Sequence, residues 1–253
     1  MANPFVFIHG WATDFRAWMA SVTAFDDAST MDLPAHGART PWTRPTLDEP
    51  VAELMNFIEG PENQDAKKIV AVGWSLGAET LIEAAAENPE RFEALILIGA
   101  TPSFIARDDF PHGKSPALVK RMIEDIKENP EETLKRFYRL NFTEEELKKK
   151  EAEEFLSTYA DAPPLFDIDG IVMGLETLLK MDLRERLKDI TTPTLVVHGR
   201  HDAVVPVEAG DYLTDNIKGA HMCTFEDAGH APFITTPAYF NRLIEEFLKR
   251  TKR

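Results

Sequence analysis

Lys67-Lys68-Ile69-Val70-Ala71-Val72-Gly73-Trp74-Ser75-Leu76-Gly77-Ala78-Glu79 is the stretch that decides how the rest of the chain is read. Ile69 to Val72 is a β-branched, apolar run of the length of a buried strand, and a helix starts after Ser75. Between them stands Gly73-x-Ser75-x-Gly77, the pattern of a nucleophile elbow. There a strand turns into a helix so sharply that the serine backbone is strained. Glycine is needed at both flanks because a side chain would collide with neighbouring backbone. Such a turn lifts the Ser75 hydroxyl above the sheet edge and aims the first helical N–H groups at any negative charge that develops beside it. The same five residues also suit an ordinary glycine-rich strand–helix turn, so the surrounding chain has to decide between the two.

Outward from the elbow, strand and helix patterns alternate. Phe5-Val6-Phe7-Ile8 and Ala94 to Gly99 read as strands buried on both faces, as does Thr194 to Gly199. Ser29 to Pro34 and His221 to Glu226 complete the strand set. A helix carries Phe15, Trp18, Met19 and Val22. Another runs from Leu47 to Ile58, with Thr46 as its N-cap and Glu49 closing a capping box. The elbow helix ends near Asn88-Pro89, and two more span Val207 to Asn216 and Tyr239 to Lys249. From about Thr101 to Lys180 strand-like runs vanish, and charged amphipathic helices replace them at Leu118–Glu128, Glu131–Leu140, Thr143–Tyr159 and Ile171–Lys180. The expected organisation is an α/β core of residues 1–100 and 181–253 with a helical lid, residues 101–180, inserted into it. Alternation on both sides of the insertion predicts a mostly parallel sheet covered on both faces.

Composition narrows the function. The 253 residues suffice for a substantial core. A formal charge of -15 argues against nucleic acid and against an anionic membrane surface as partners. The single cysteine, Cys223, rules out an internal disulfide and a cysteine-based metal site, and is expected as a small buried strand residue. The N-terminus lacks a basic segment before its first strand, and no apolar run reaches the ~18 residues of a membrane span. A cytoplasmic protein without metal or cofactor is the expectation.

A serine elbow needs a base, a carboxylate to orient that base and an oxyanion hole, in the chain order serine, acid, histidine. Asp202 follows the strand Thr194 to Val197, and His230 follows the strand ending at Glu226, so both stand at C-terminal strand ends where open α/β sheets hold ligands. His230 would take the Ser75 proton and Asp202 would hold the imidazole in its working tautomer. His9-Gly10-Trp11 follows the first strand, which makes the Trp11 N–H a partner for the Leu76 N–H in an oxyanion hole. Asp32 is the rival carboxylate, although Asp32-Leu33-Pro34 is explained by turn formation. His36, His112, His198, His201 and His221 are read as solvated or as satisfying nearby backbone.

His9-Gly10-Trp11, Asp32-Leu33-Pro34, Gly73-Trp74-Ser75-Leu76-Gly77, the Asp202 loop and Gly229-His230-Ala231-Pro232-Phe233-Ile234 together resemble the α/β-hydrolase superfamily almost end to end. Within it the chain is most similar to the pimeloyl-(acyl-carrier protein) methyl ester esterases of biotin synthesis, through Trp74 before the serine and His230-Ala231-Pro232-Phe233. The resemblance implies an α/β-hydrolase fold with a Ser75–Asp202–His230 triad and Trp11 and Leu76 as oxyanion donors. It also implies hydrolysis of a methyl ester on a small or carrier-bound acyl chain, with acyl-carrier protein as partner. The chain opens on the strand that the superfamily usually counts as its third, so the resemblance implies a sheet of about six strands without the first hairpin.

An acidic carrier fits the charge poorly, since residues 101–180 hold 12 Lys and Arg against 17 Asp and Glu, a net of -5. Lys135, Arg136 and Arg139 are the candidate docking patch, against the alternative of a solvated helix face. Trp11, Trp74, Phe104, Phe137 and Phe142 are candidates to line an acyl pocket, with a core role open for each lid aromatic. Glu144 to Lys150 places Glu and Lys at i,i+4 three times and reads as a self-sufficient helix face. A promiscuous short-chain carboxylesterase and a carbon–carbon bond hydrolase remain alternatives, as does a ligand-binding protein that kept the fold without turnover.

Overall fold

The computed structural model describes residues 3–37, 40–60, 66–161 and 166–251. Its sheet has six strands among these residues: β1 (Phe5–Ile8), β2 (Ala28–Met31), β3 (Ile69–Trp74), β4 (Phe92–Ile98), β5 (Thr194–Gly199) and β6 (His221–Phe225). The order is β2-β1-β3-β4-β5-β6, and every neighbouring pair is parallel. All residues of β1, β3 and β5 are buried, which is why they read as unbroken apolar runs rather than alternating ones. The edge strands β2 and β6 are partly exposed, and Cys223 on β6 is half-buried rather than enclosed as expected.

The chain runs from β1 out to the edge strand β2, then returns to place β3 on the other side of β1. That reversal makes the carboxyl ends of β1 and β3 the switch point at which α/β sheets bind ligands. Helices cover the sheet: α1 (Met19–Val22), α2 (Asp48–Glu59), α3 (Leu76–Glu87), α8 (Val207–Asn216), α9 (Pro232–Thr235) and α10 (Pro237–Thr251). Between β4 and β5 lie α4 (Pro116–Glu128), α5 (Pro130–Leu140), α6 (Lys150–Tyr159) and α7 (Ile168–Lys180), all inserted at the carboxyl end of the sheet.

Three local expectations are corrected. The first helix is a 3₁₀ turn, Phe15–Trp18, running into the short α1. Thr46 does not cap α2: Leu47 is the N-cap without a side-chain bond. Glu49 instead accepts the N–H and hydroxyl of Thr43, because the turn before the helix folds that residue back over its first turn. The helix expected over Thr143–Tyr159 is broken into a 3₁₀ turn, Glu146–Lys148, and α6. None of its three i,i+4 pairs forms, because Glu146 turns inward; Lys148 pairs with Glu145 and Lys150 with Glu154.

Candidate active site

Ser75 occupies the elbow with φ 52° and ψ −123°, a strained backbone for a residue with a side chain. The close packing around it demands the two glycines. A Cβ at Gly73 would lie 2.7 Å from backbone atoms of Gly77 and Ala78, and one at Gly77 would lie 2.5 Å from the carbonyl oxygens of Ile8 and His9. The elbow is thereby pressed against the end of β1, and the Ser75 N–H donates to Ile98 O at 2.8 Å, tying it to β4 as well.

His230 and Asp202 meet at the same sheet edge. The His230 Nδ1 lies 2.6 Å from Asp202 Oδ2, and both side chains are buried. A carboxylate only accepts, so Nδ1 is the donor in this pair. The His230 Nε2 is buried and has no hydrogen-bond partner among the described residues. A buried polar nitrogen without a partner is costly and calls for an explanation.

The carboxylate is itself fixed. Asp202 Oδ1 accepts the N–H groups of Val204 and Val205, both at 2.7 Å. Burial pushes the Asp202 carboxyl upward, but His230 and His198 pull it further down, and it ends well below the usual carboxylate range. His198 lies under it, with Nε2 3.2 Å from Asp202 Oδ2 and 3.0 Å from Val205 O. Burial lowers the His198 pKa, the bond to Asp202 raises it, and the net shift is upward. The sequence reads His198 as solvated or as satisfying nearby backbone; the Val205 bond fits the second, and the contact with Asp202 is what the sequence reading missed. The available signal was a histidine inside an apolar strand, four residues before the candidate acid.

The Trp11 and Leu76 N–H groups make no hydrogen bond among the described residues, so both remain free to donate. The loop carrying Trp11 is held tightly. Ala12 has φ 55°; its N–H donates to His36 Nε2 at 3.1 Å, and its carbonyl accepts the Tyr138 hydroxyl at 2.6 Å. His9 and His36 are buried and neutral: burial lowers them to about 4 and about 3, leaving each Nε2 able to accept a backbone N–H. Asp32, the rival acid, instead accepts the Phe15 N–H, a tie to a loop 17 residues away rather than the local turn bond expected of it.

The aromatic candidates separate by position. The Trp11 indole donates to Ile171 O of α7 at 2.7 Å and meets the half-buried Phe137 edge-on at 4.8 Å. Trp74 is 1% exposed and offers almost no surface to a ligand; its N–H donates to His230 O at 3.1 Å, so it braces the His230 backbone from behind. Phe142 packs edge-on against Phe155 in the inserted helices, and the partly buried Phe104 lies between the main core and a small cluster around Phe110. Lys135 is committed to Glu131 at 2.7 Å, while Arg136 approaches Asp125 only at 3.9 Å. Arg136 and Arg139 border an open groove of about 730 Å³ with Leu140, Phe142 and His201, beside the Asp202 loop. Among the described residues, no group of three or more His, Cys, Asp or Glu could hold a metal, and no helix is long and apolar enough to cross a membrane.

The profile of the alpha/beta hydrolase fold family matches residues 3–237. The chain belongs to that family. It is 30% identical over 253 residues to a pimeloyl-(acyl-carrier protein) methyl ester esterase of Aromatoleum aromaticum, covering 96% of this chain and 97% of the relative. A Nitrosomonas europaea protein of the same name is 29% identical over 238 residues, covering 93% and 91%. Among solved structures, an esterase from Exiguobacterium antarcticum superposes with a TM-score of 0.87 at 23% identity, covering 98% of this chain and 92% of that one, a likeness of fold.

Proposed function

We propose that this carboxylic ester hydrolase works through Ser75 as nucleophile, with His230 as general base and Asp202 as its orienting carboxylate. The observation that carries the reading is the buried, unpartnered Nε2 of His230, with Nδ1 tied to a fixed Asp202. The Ser75 Oγ proton passes to His230 Nε2 as Oγ bonds to the ester carbonyl carbon. The N–H groups of Trp11 and Leu76 receive the oxyanion, and Asp202 stabilises the imidazolium. Collapse breaks the carbon–oxygen bond, and His230 returns the proton to the departing alcohol. Water then bonds to the acyl carbon as His230 takes its proton, the carbon–Oγ bond breaks, and His230 returns the proton to Ser75 Oγ as the acid leaves.

The names of the relatives support a methyl ester of a carrier-bound dicarboxylic acyl chain as the substrate class, and the reading places the reaction in the cytoplasm with residues 101–180 acting as a lid. The Arg136–Arg139 groove supports a carrier contact there. A second reading, a free short-chain ester, is favoured by the charge of -15, which repels an acidic carrier at long range.

The test is methanol release from a methyl dicarboxylate half-ester, free and carrier-bound, by wild type and Ser75→Ala. Preference for the carrier-bound form, lost in the variant, supports the first reading. Equal hydrolysis supports the second. Absence of Ser75-dependent turnover on these and on a short p-nitrophenyl ester refutes both and leaves a binding protein.

A further inference from the structure

The base loop is gripped from the inserted helices by one buried carboxylate. Glu146 is 1% exposed, deep for a charged residue on a segment between surface helices. Its Oε2 accepts the N–H of Gly229 at 2.7 Å and that of Thr143 at 2.9 Å. Its Oε1 accepts the Thr235 hydroxyl at 2.6 Å. Gly229 immediately precedes His230, and Thr235 closes the helical turn that follows it. On the other side of the base, the Ala231 N–H donates to Asn141 O at 3.2 Å. The backbone on both flanks of His230 is therefore held by residues 141–146, in addition to the Trp74 bond to His230 O from the sheet.

The packing leaves little slack in this clamp. A Cβ at Gly229 would lie 2.7 Å from Asn141 O and 3.1 Å from the Phe142 Cα, so the two backbones are in direct contact. The Thr143–Glu146 pair is reciprocal, since the Glu146 N–H donates to Thr143 Oγ1 at 3.2 Å. That is a capping box, which alone would account for a Glu at this spacing on the surface. It does not account for the same carboxylate reaching across to the base loop with both oxygens. Charge-assisted bonds of this kind are among the stronger ones, and here they bridge segments 83 and 89 residues apart in sequence.

We infer that Glu146 is a positioning residue for the reaction: by holding Gly229 and Thr235 it sets where His230 Nε2 stands relative to Ser75. The inference rests on His230 being the base. It makes catalysis depend on the inserted helices through the turnover step rather than through substrate binding alone.

The discriminating experiment compares Glu146→Ala, Glu146→Gln and His230→Ala on a soluble p-nitrophenyl ester and in single-turnover labelling of Ser75 by a fluorophosphonate. In Glu146→Ala, kcat and the labelling rate are expected to fall about 10- to 100-fold, the effect of misplacing a reacting group by a fraction of an ångström to an ångström. KM should stay within about twofold, because no substrate contact is removed. Glu146→Gln can still accept from Gly229 and Thr143 and donate to the Thr235 oxygen, so it should recover most of that loss. A Glu146→Ala protein that melts lower but keeps kcat and labelling within about twofold overturns the inference and leaves a structural carboxylate. If Glu146→Ala does not fold, Thr235→Val takes its place, with an expected kcat loss of about 3- to 10-fold and unchanged kcat as the refuting result. Normal activity in His230→Ala would instead overturn the underlying assignment of the base.

Discussion

Glu79 provides a quantitative check on how the elbow helix is built. It lies one turn beyond Ser75 on α3 and is 1% exposed. One oxygen accepts the Thr101 N–H at 3.0 Å, which anchors the chain just after β4, and the other has no partner among the described residues. Burial raises its pKa from the ordinary 4.5 to about 8, and the Thr101 bond offsets only part of that. The folded protein therefore keeps this proton over a pH range in which the unfolded chain releases it. The associated stability is fully present below pH 4.5, where both states are protonated, and is lost as pH rises toward 8. Each pH unit costs ~1.4 kcal/mol, so the roughly 2.5 units between 4.5 and neutrality amount to ~3 kcal/mol. That is a large share of the ~5–15 kcal/mol that holds a typical domain together.

Glu79→Gln keeps the shape and the acceptor for Thr101 but cannot ionise. Its amide NH₂ would sit where the unpartnered oxygen stands, a pH-independent cost of ~1–3 kcal/mol. The diagnostic quantity is thus the change with pH, measured by urea unfolding at pH 5, 6, 7 and 8. Stability of the variant relative to wild type should rise by ~3 kcal/mol between pH 5 and 7.5. The contributions of His9 and His36 are common to both proteins and drop out of the difference. A difference that stays constant across this range would mean that Glu79 ionises equally in both states, and the burial argument would fail.

Two further predictions concern the loops that meet at Ser75. Tyr138→Phe removes the hydroxyl that donates to Ala12 O, leaving a buried carbonyl unpaired at an expected cost of ~1–3 kcal/mol. It should also lower kcat as the left-handed Ala12 relaxes; a melting curve and steady-state kinetics read both effects, and unaltered kcat would detach Tyr138 from the oxyanion loop. Gly77→Ala should prevent soluble folding because its Cβ meets fixed carbonyls of Ile8 and His9. Gly219→Ala, at φ +75° in open space, should cost only ~1–2 kcal/mol of backbone strain, and parity of the two variants in thermal melts would refute the steric account.

Local chemistry in the sequence carried the sheet and the candidate residues. Buried parallel strands need apolar residues on both faces, so β1, β3, β4 and β5 were legible as continuous runs. The elbow was legible because only glycine fits where α3 presses on β1 and β3. Strand ends then located Ser75, Asp202 and His230 in chain order. Trp74 was expected to line an acyl pocket and instead lies buried behind His230, since the sequence shows neither depth nor direction. Thr143-x-x-Glu146 had the capping-box spacing, yet the Glu–Lys ladder around it suggested a solvated helix and concealed the inward turn.

What only the tertiary structure decided is which distant groups share a hydrogen bond. Glu146 reaches a loop 83 residues away, Tyr138 a loop 126 residues away, and Trp11 a helix carbonyl 160 residues away. Such pairings leave no periodic trace, because each depends on where two independently folded segments come to rest. Helix and strand patterns arise from neighbours within a few residues and can be read along the chain. The geometry of a site is the meeting of several such segments in space, and it exists only once they have packed.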